Sequence, residues 1–159
     1  MEIVLARIED AEELSYVKKE VWETTYRGIY DDNVIDGYDY AERKNKFIKL
    51  IKSDNQEVYV CKDNNRIVGY MVLGEPLHEK IDNYDLTIND LGIIYDYRKK
   101  GIGTRFINIA KSKKRKLFNC CNYYNDKAKM FYEKNGGKIV KTVIDENDKR
   151  YSQVYYVYE

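Results

Sequence analysis

The chain has one histidine, one proline and one tryptophan among 159 residues. The lone histidine, His78, leaves neither a histidine-based zinc site nor a Ser-His-acid triad with the groups it needs, so no metal ligands are assigned. The three cysteines, Cys61 and the adjacent Cys120 and Cys121, are odd in number and unspaced; a disulfide framework is excluded and a reducing compartment is expected. No apolar run approaches the ~20 residues of a membrane span. The opening Met-Glu-Ile-Val-Leu-Ala-Arg meets charge too soon for a signal peptide, so the chain reads as cytoplasmic. A formal net charge of +1 supplies no overall field toward nucleic acid or membrane, and neither is expected as a partner.

What is present is a hydrophobic fraction of 43% with seventeen tyrosines, enough for a packed core in one domain spanning residues 1–159. Charge is unevenly placed. Residues 1–40 hold eleven acids against four bases, whereas Arg98 to Phe118 holds nine bases and no acid. The basic stretch suits a ligand with several phosphates, and the acidic one suits a wall facing a cationic molecule.

Periodicity gives the element order. Glu2 to Ile8 is a strand, and Asp10 with Glu13 has the form of a capping box opening a helix with Leu14, Val17 and Val21 on one face. A polar loop, Asp31 to Gly37, leads to a second box at Asp39 and Glu42 and a helix carrying Phe47, Leu50 and Ile51. Glu57 to Lys62 and Arg66 to Leu73 form a hairpin around Asp63-Asn64-Asn65. Leu86 to Tyr95 is a strand that runs into a glycine turn, and Ile102, Phe106, Ile109 and Ala110 continue as a helix through about Lys114. Leu117 to Cys121 is a strand, Asn125 opens the last helix, Gly136-Gly137 ends it, and Lys138 to Ile144 and Tyr151 to Tyr158 close the chain as strands. The result is an α/β architecture.

The informative stretch is Leu91 to Thr104. A strand passes through Arg98-Lys99-Lys100-Gly101-Ile102-Gly103-Thr104 into a helix, and helix N-termini present free N–H groups and a positive dipole end to anions. Gly101 and Gly103, lacking Cβ atoms, let a diphosphate approach closely. A dinucleotide fingerprint fails because Phe106 holds the third glycine position, and a P-loop fails because Thr104 and Arg105 follow Gly103.

Arg98-x-x-Gly101-x-Gly103, followed by Asn125-x-x-Ala128-x-x-Phe131-Tyr132-Glu133-Lys134-x-Gly136, resembles the acyl-coenzyme A motif and the succeeding helix of the GNAT superfamily of N-acetyltransferases. The resemblance implies a mixed sheet of about seven strands flanked by about four helices, with a splayed strand pair that binds the coenzyme. It implies acetyl-coenzyme A as cosubstrate, held by Ile93, Ile94 and Tyr95 along the pantetheine arm, by Arg98, Lys99, Lys100, Gly101, Ile102, Gly103 and Thr104 at the diphosphate, and by Asn125. Tyr132 matches the tyrosine that protonates the departing thiolate. Relatives carry a glutamate base on the preceding strand; this chain offers Asp85 and Asp90 and no glutamate, and Asp90, acting through water, is assigned. Trp22, Glu23, Tyr26 and Tyr30 are assigned to the acceptor, an amine of a small molecule (polyamine-like or aminoglycoside-like) or of a peptide. A homodimer is compatible with this reading. A non-catalytic acyl-coenzyme A sensor would keep the same glycine turn and stands as the alternative.

Overall fold

In the computed structural model, which describes residues 1–159, the two central asparagines of the first hairpin, Asn64 and Asn65, take φ of 49° and 67°. Positive φ at both positions matches the right-handed twist of the flanking strands, and asparagine tolerates it better than most residues. Strands β2 (Gln56–Asp63) and β3 (Arg66–Gly74) thereby pair antiparallel along nearly their whole length. With β1 (Glu2–Leu5), β4 (Leu86–Ile93), β5 (Leu117–Asn122), β6 (Lys138–Val143) and β7 (Gln153–Tyr158) they form one seven-stranded sheet in the order β1-β2-β3-β4-β5-β7-β6. Only β4 and β5 are parallel, joined through the right place for a crossover helix.

Five helices cover the sheet: α1 (Ala11–Thr25), α2 (Asp32–Asp36), α3 (Tyr40–Lys52), α4 (Ile102–Ser112) and α5 (Asp126–Lys134). Successive residues of a strand face opposite sides, and β3 shows which helices lie where. Tyr70 meets Phe47 of α3 edge to face, while Gly69 faces Phe106 of α4. Helices α1 and α3 therefore lie on one face and α4 on the other. Tyr70, Met71, Phe106, Ile107, Leu14 and Tyr156 are among the largest fully buried side chains between these layers. No helix is long and apolar enough to cross a membrane.

Two local expectations change. The segment Asp31 to Gly37, read as a loop, contains the short α2. The capping box at Asp10 and Glu13 does not form: a 3-10 turn, Ile8–Asp10, precedes α1, and Asp10 instead accepts the Arg7 N–H at 2.8 Å and the Lys62 ammonium at 3.0 Å. Glu13 accepts the N–H of Ile67 at 2.7 Å. Tertiary partners outcompete the local cap, because these carboxylates reach strand groups that would otherwise be left without an acceptor or a counter-charge. The second box holds in part, with Asp39 accepting the Glu42 N–H at 3.0 Å.

Gly92 of β4 sits under the buried Tyr70 ring; a Cβ there would lie 2.7 Å from Cε1. Gly92→Ala is expected to cost about 1–3 kcal/mol by overpacking, since that ring has no free volume to enter. Thermal unfolding should show a drop of several degrees; an unchanged Tm would mean that the Tyr70 ring yields without penalty.

Candidate active site

Strands β4 and β5 pair only at Leu86–Leu117 and Thr87–Phe118 and then part. Beyond Thr87 each follows its other neighbour, β4 with β3 and β5 with β7. A bulge at Asn89 turns β4 at the point of parting: Val72 pairs with Asp90, but Leu73 with Ile88. The Asn89 amide holds the bulge, donating to Gln56 Oε1 and to the Glu75 carbonyl, both at 2.9 Å, while its oxygen accepts the Leu77 N–H at 3.1 Å.

The ladder identifies which backbone groups are left open. Ile94 donates its N–H to the Val68 carbonyl at 3.0 Å, so Ile94 faces β3. In an antiparallel ladder neighbouring residues point their amides to opposite sides, which directs those of Leu91 and Ile93 into the gap beside β5. Ile94, assigned to coenzyme binding from the sequence, therefore has no amide to offer there, and Leu91, which was not assigned, does. Tyr95 begins a 3-10 turn, Tyr95–Tyr97, and its ring is exposed.

Six consecutive amides follow. Arg98 N–H donates to the Tyr95 carbonyl and Arg105 N–H to that of Gly101, both at 3.1 Å, but between them Lys99, Lys100, Gly101, Ile102, Gly103 and Thr104 donate to no group of the protein. Lys99 and Gly101 have φ of 61° and 85°, and Gly101 is the N-cap of α4. Alternating left-handed and right-handed backbone at a helix start gathers N–H vectors into an anion-binding concavity. The two glycines divide the work differently from the sequence reading. Gly101 has open space where a Cβ would be, whereas a Cβ on Gly103 would lie 2.7 Å from Phe131 Cζ, so Gly103 serves the packing of α4 against α5. Arg98 is turned to the protein itself: Nε donates to the Ile93 carbonyl at 3.0 Å, and Nη2 to the hydroxyls of Thr24 at 2.9 Å and Thr25 at 3.3 Å. It ties the end of α1 to the end of β4.

Across the gap, Asn125 caps α5 by accepting the Ala128 N–H at 3.1 Å. Tyr132 lies further along α5, its ring buried against Phe131 and Tyr156. Its hydroxyl makes no hydrogen bond inside the protein, and burial above all pushes its pKa well above the ordinary tyrosine value, with Tyr158, Cys121 and Tyr26 adding. Such a phenol keeps its proton. Cys121, facing the same space, is pushed up to about 12 by burial first and then by Cys120. A thiol held protonated is a poor nucleophile.

Asp90 projects to the α1 side. Its carboxylate accepts the Lys18 ammonium at 2.5 Å and the Tyr70 hydroxyl at 3.1 Å. Tyr26, at the C-terminal end of α1, has its phenol raised above the ordinary value by burial first, with Tyr30, Asp90 and Cys121 adding. Tyr30 stacks on Tyr26 with centroids 4.9 Å apart and planes 11° off parallel. Trp22 packs edge to face on Tyr26 and on Tyr38, each at 5.7 Å, under the guanidinium of Arg43.

Glu23 is engaged elsewhere. It accepts from Arg27 at 2.7 and 2.8 Å and from Lys19 at 2.5 Å, and these bonds, Arg27 first, hold its carboxyl down at about 2. Arg27 also meets Asp32 at 3.0 Å and Asp36 at 2.8 Å. Three of the eleven acids of residues 1–40, Glu23, Asp32 and Asp36, thus gather on one guanidinium.

A family model described as an acetyltransferase (GNAT) domain matches residues 54–136, just over half of the chain. Solved structures share the fold. PaiA N-acetyltransferase from Thermoplasma acidophilum, in complex with coenzyme A, is 24% identical over 100% of this chain and 99% of that one, with a TM-score of 0.79. Ribosomal-protein-alanine N-acetyltransferase from Brucella melitensis is 17% identical over 99% of this chain and 98% of its own, with a TM-score of 0.72. For aminoglycoside 6′-acetyltransferase type Ii the values are 18%, 99%, 96% and 0.71. No curated protein sequence matches the chain. The motif that spans α4 and α5, the parted strands and the matching family model lead to one assignment: the chain belongs to the GNAT acetyltransferases.

Proposed function

We propose that the protein transfers an acetyl group from acetyl-coenzyme A to a primary amine of a small molecule or peptide, by direct attack in a ternary complex. The observation that carries this reading is the run of unpartnered amides from Lys99 to Thr104 beside the gap between β4 and β5. A diphosphate fits a cradle of backbone donors with Lys99 and Lys100 exposed on its flank, and an amide-bearing arm fits the open edge at Leu91 and Ile93. The coenzyme A complex of the Thermoplasma relative supports the same ligand.

Acetyl-coenzyme A supplies the activated thioester when bound. The protein then contributes three functions. Backbone N–H of the open β4 edge polarises the carbonyl where negative charge develops. Tyr132, held protonated by burial, donates its proton as the carbon–sulfur bond breaks and recovers one from solvent water when the products leave, so that no phenolate persists in the core. Asp90, ion-paired to Lys18 and bonded by Tyr70, is a fixed anion at the acceptor side, and the amine loses its proton toward it through water. The raised Cys121 argues against an acetylated cysteine intermediate and for direct attack. Asp31, Asp32 and Asp36 are held by Arg150 and Arg27, so the Asp90 carboxylate and the Tyr26 ring are what suit an amine on the acceptor side. The relatives named above act on an aminoglycoside and on a ribosomal-protein alanine, so both kinds of acceptor belong in the assay panel. Release of coenzyme thiol with one of these amines tests the proposal; coenzyme binding with no turnover on any amine would favour a sensor.

Gly101→Asp places a carboxylate in the cradle at a position whose φ of +85° strains any side chain, so Gly101→Asn, which carries the same strain without the charge, is the control. Calorimetry with coenzyme A should show a loss of tenfold or more, about 1.4 kcal/mol, in a folded variant; unchanged affinity would move the diphosphate elsewhere. Tyr132→Phe keeps the buried ring and removes the hydroxyl. Its kcat should fall about 10²-fold, within the range of general acid catalysis, with little change in coenzyme affinity. Because burial raises this phenol well above its ordinary value, the wild type should lose no activity to its ionisation below pH ~10. A Phe variant with wild-type kcat would return Tyr132 to a packing role.

A further inference from the structure

The segment before β7 was given no part in the site, yet it closes over the acceptor side. Tyr151, on a 3-10 turn spanning Lys149–Tyr151, stacks on Tyr30 with centroids 4.7 Å apart and planes 15° off parallel. Tyr30 in turn stacks on Tyr26 at the end of α1 and accepts from Asn122 at the end of β5, so three stacked rings run from the protein surface to the junction of α1 and β5. We infer that Tyr151 is a positioning residue for the acceptor, holding Tyr26 in the cleft through Tyr30. The inference rests on the acceptor site proposed above.

Three observations make this turn a built wall. Arg150 bridges the two connections that meet here, donating to Asp31 of the α1–α2 segment at 2.6 Å and to Asp148 of its own turn at 2.7 Å. Asn122, buried at the end of β5, joins them from beneath: its Nδ2 donates to the Arg150 carbonyl at 2.6 Å and to the Tyr30 hydroxyl at 3.3 Å, and its oxygen accepts the Tyr124 N–H at 2.8 Å. Ser152, also buried, accepts the Asp145 N–H at 3.0 Å and closes the turn.

This wall reinforces the Tyr30 segment. It leaves α1 through Gly28, at φ +95°, and the Tyr30 N–H returns to the Tyr26 carbonyl at 2.9 Å, so the stack on Tyr151 adds to a turn already fastened to α1. The Tyr151 hydroxyl makes no hydrogen bond, so the ring alone acts, by the offset stacking that aromatic pairs favour. Removing it uncovers one face of Tyr30 and frees Tyr26 to leave the cleft.

The test compares Tyr151→Ala with Tyr151→Phe, and uses Tyr151→Leu where the alanine variant does not fold. With spermidine, an aminoglycoside and an alanine-terminated peptide as acceptors, Tyr151→Ala should raise the acceptor KM tenfold or more while kcat and coenzyme A affinity stay within about twofold; Tyr151→Phe should restore the wild-type KM. A second readout needs no turnover. Trp22 is the only tryptophan and lies edge-on to Tyr26, so its emission and its quenching by acrylamide report the ring's position. Both should change in the alanine variant and return in the phenylalanine one. If the wild type acetylates none of these amines, the acceptor classes proposed above fail, and the Trp22 signal still decides the positioning role. An unshifted Trp22 signal in Tyr151→Ala, or a KM that phenylalanine does not restore, overturns the inference.

Discussion

The parting of β4 from β5 after two residue pairs is the constraint on which the rest depends. A backbone amide without a partner is costly when buried, so a sheet opens in its middle only where something else will take up its groups. Each strand solves half of the problem with its outer neighbour, and the bulge at Asn89 lets β4 turn without breaking its ladder to β3. What remains open is the inner edge at Leu91 and Ile93, and the helix start that follows adds six more free donors. The cleft is a region where the fold leaves hydrogen bonds unmade inside an otherwise well-paired sheet.

Lys99 and Lys100 stay unpaired at the cradle, while other ions around this opening find partners. Arg98, which sequence spacing places beside the phosphates, is drawn to the Ile93 carbonyl and to two threonines of α1, because a half-buried guanidinium with five donors needs acceptors close by. Lys18 meets Asp90 and Arg27 gathers three carboxylates. Exposed pairs of this sort add little stability one by one, and their effect here is to orient the end of α1 and the segment after it.

The two sides of the cleft are joined at Asn122. It lies three residues before Asn125, the cap of α5, and bonds to groups of both the Tyr30 and Arg150 segments. One buried strand end thus fastens both connections, and Tyr26, Tyr30 and Tyr151 stack outward from it.

The order of elements, the Asn64-Asn65 hairpin, the glycine turn into α4 and the Asn125 cap were all legible in the sequence, because each follows from local backbone preference or from a repeat of apolar residues. The same reasoning placed Tyr132 on α5 and Asp90 on β4. It could not tell Leu91 from Ile94 at the open edge, since that depends on which residues of β3 pair with β4 and a shift of one residue exchanges the two sides. Nor could it foresee that Phe131 covers Gly103, that Glu13 leaves its helix cap for Ile67, or that Tyr151 stacks on Tyr30. Those outcomes are contacts between residues far apart in the chain, and only the assembled tertiary structure decides which of several reachable partners each side chain takes.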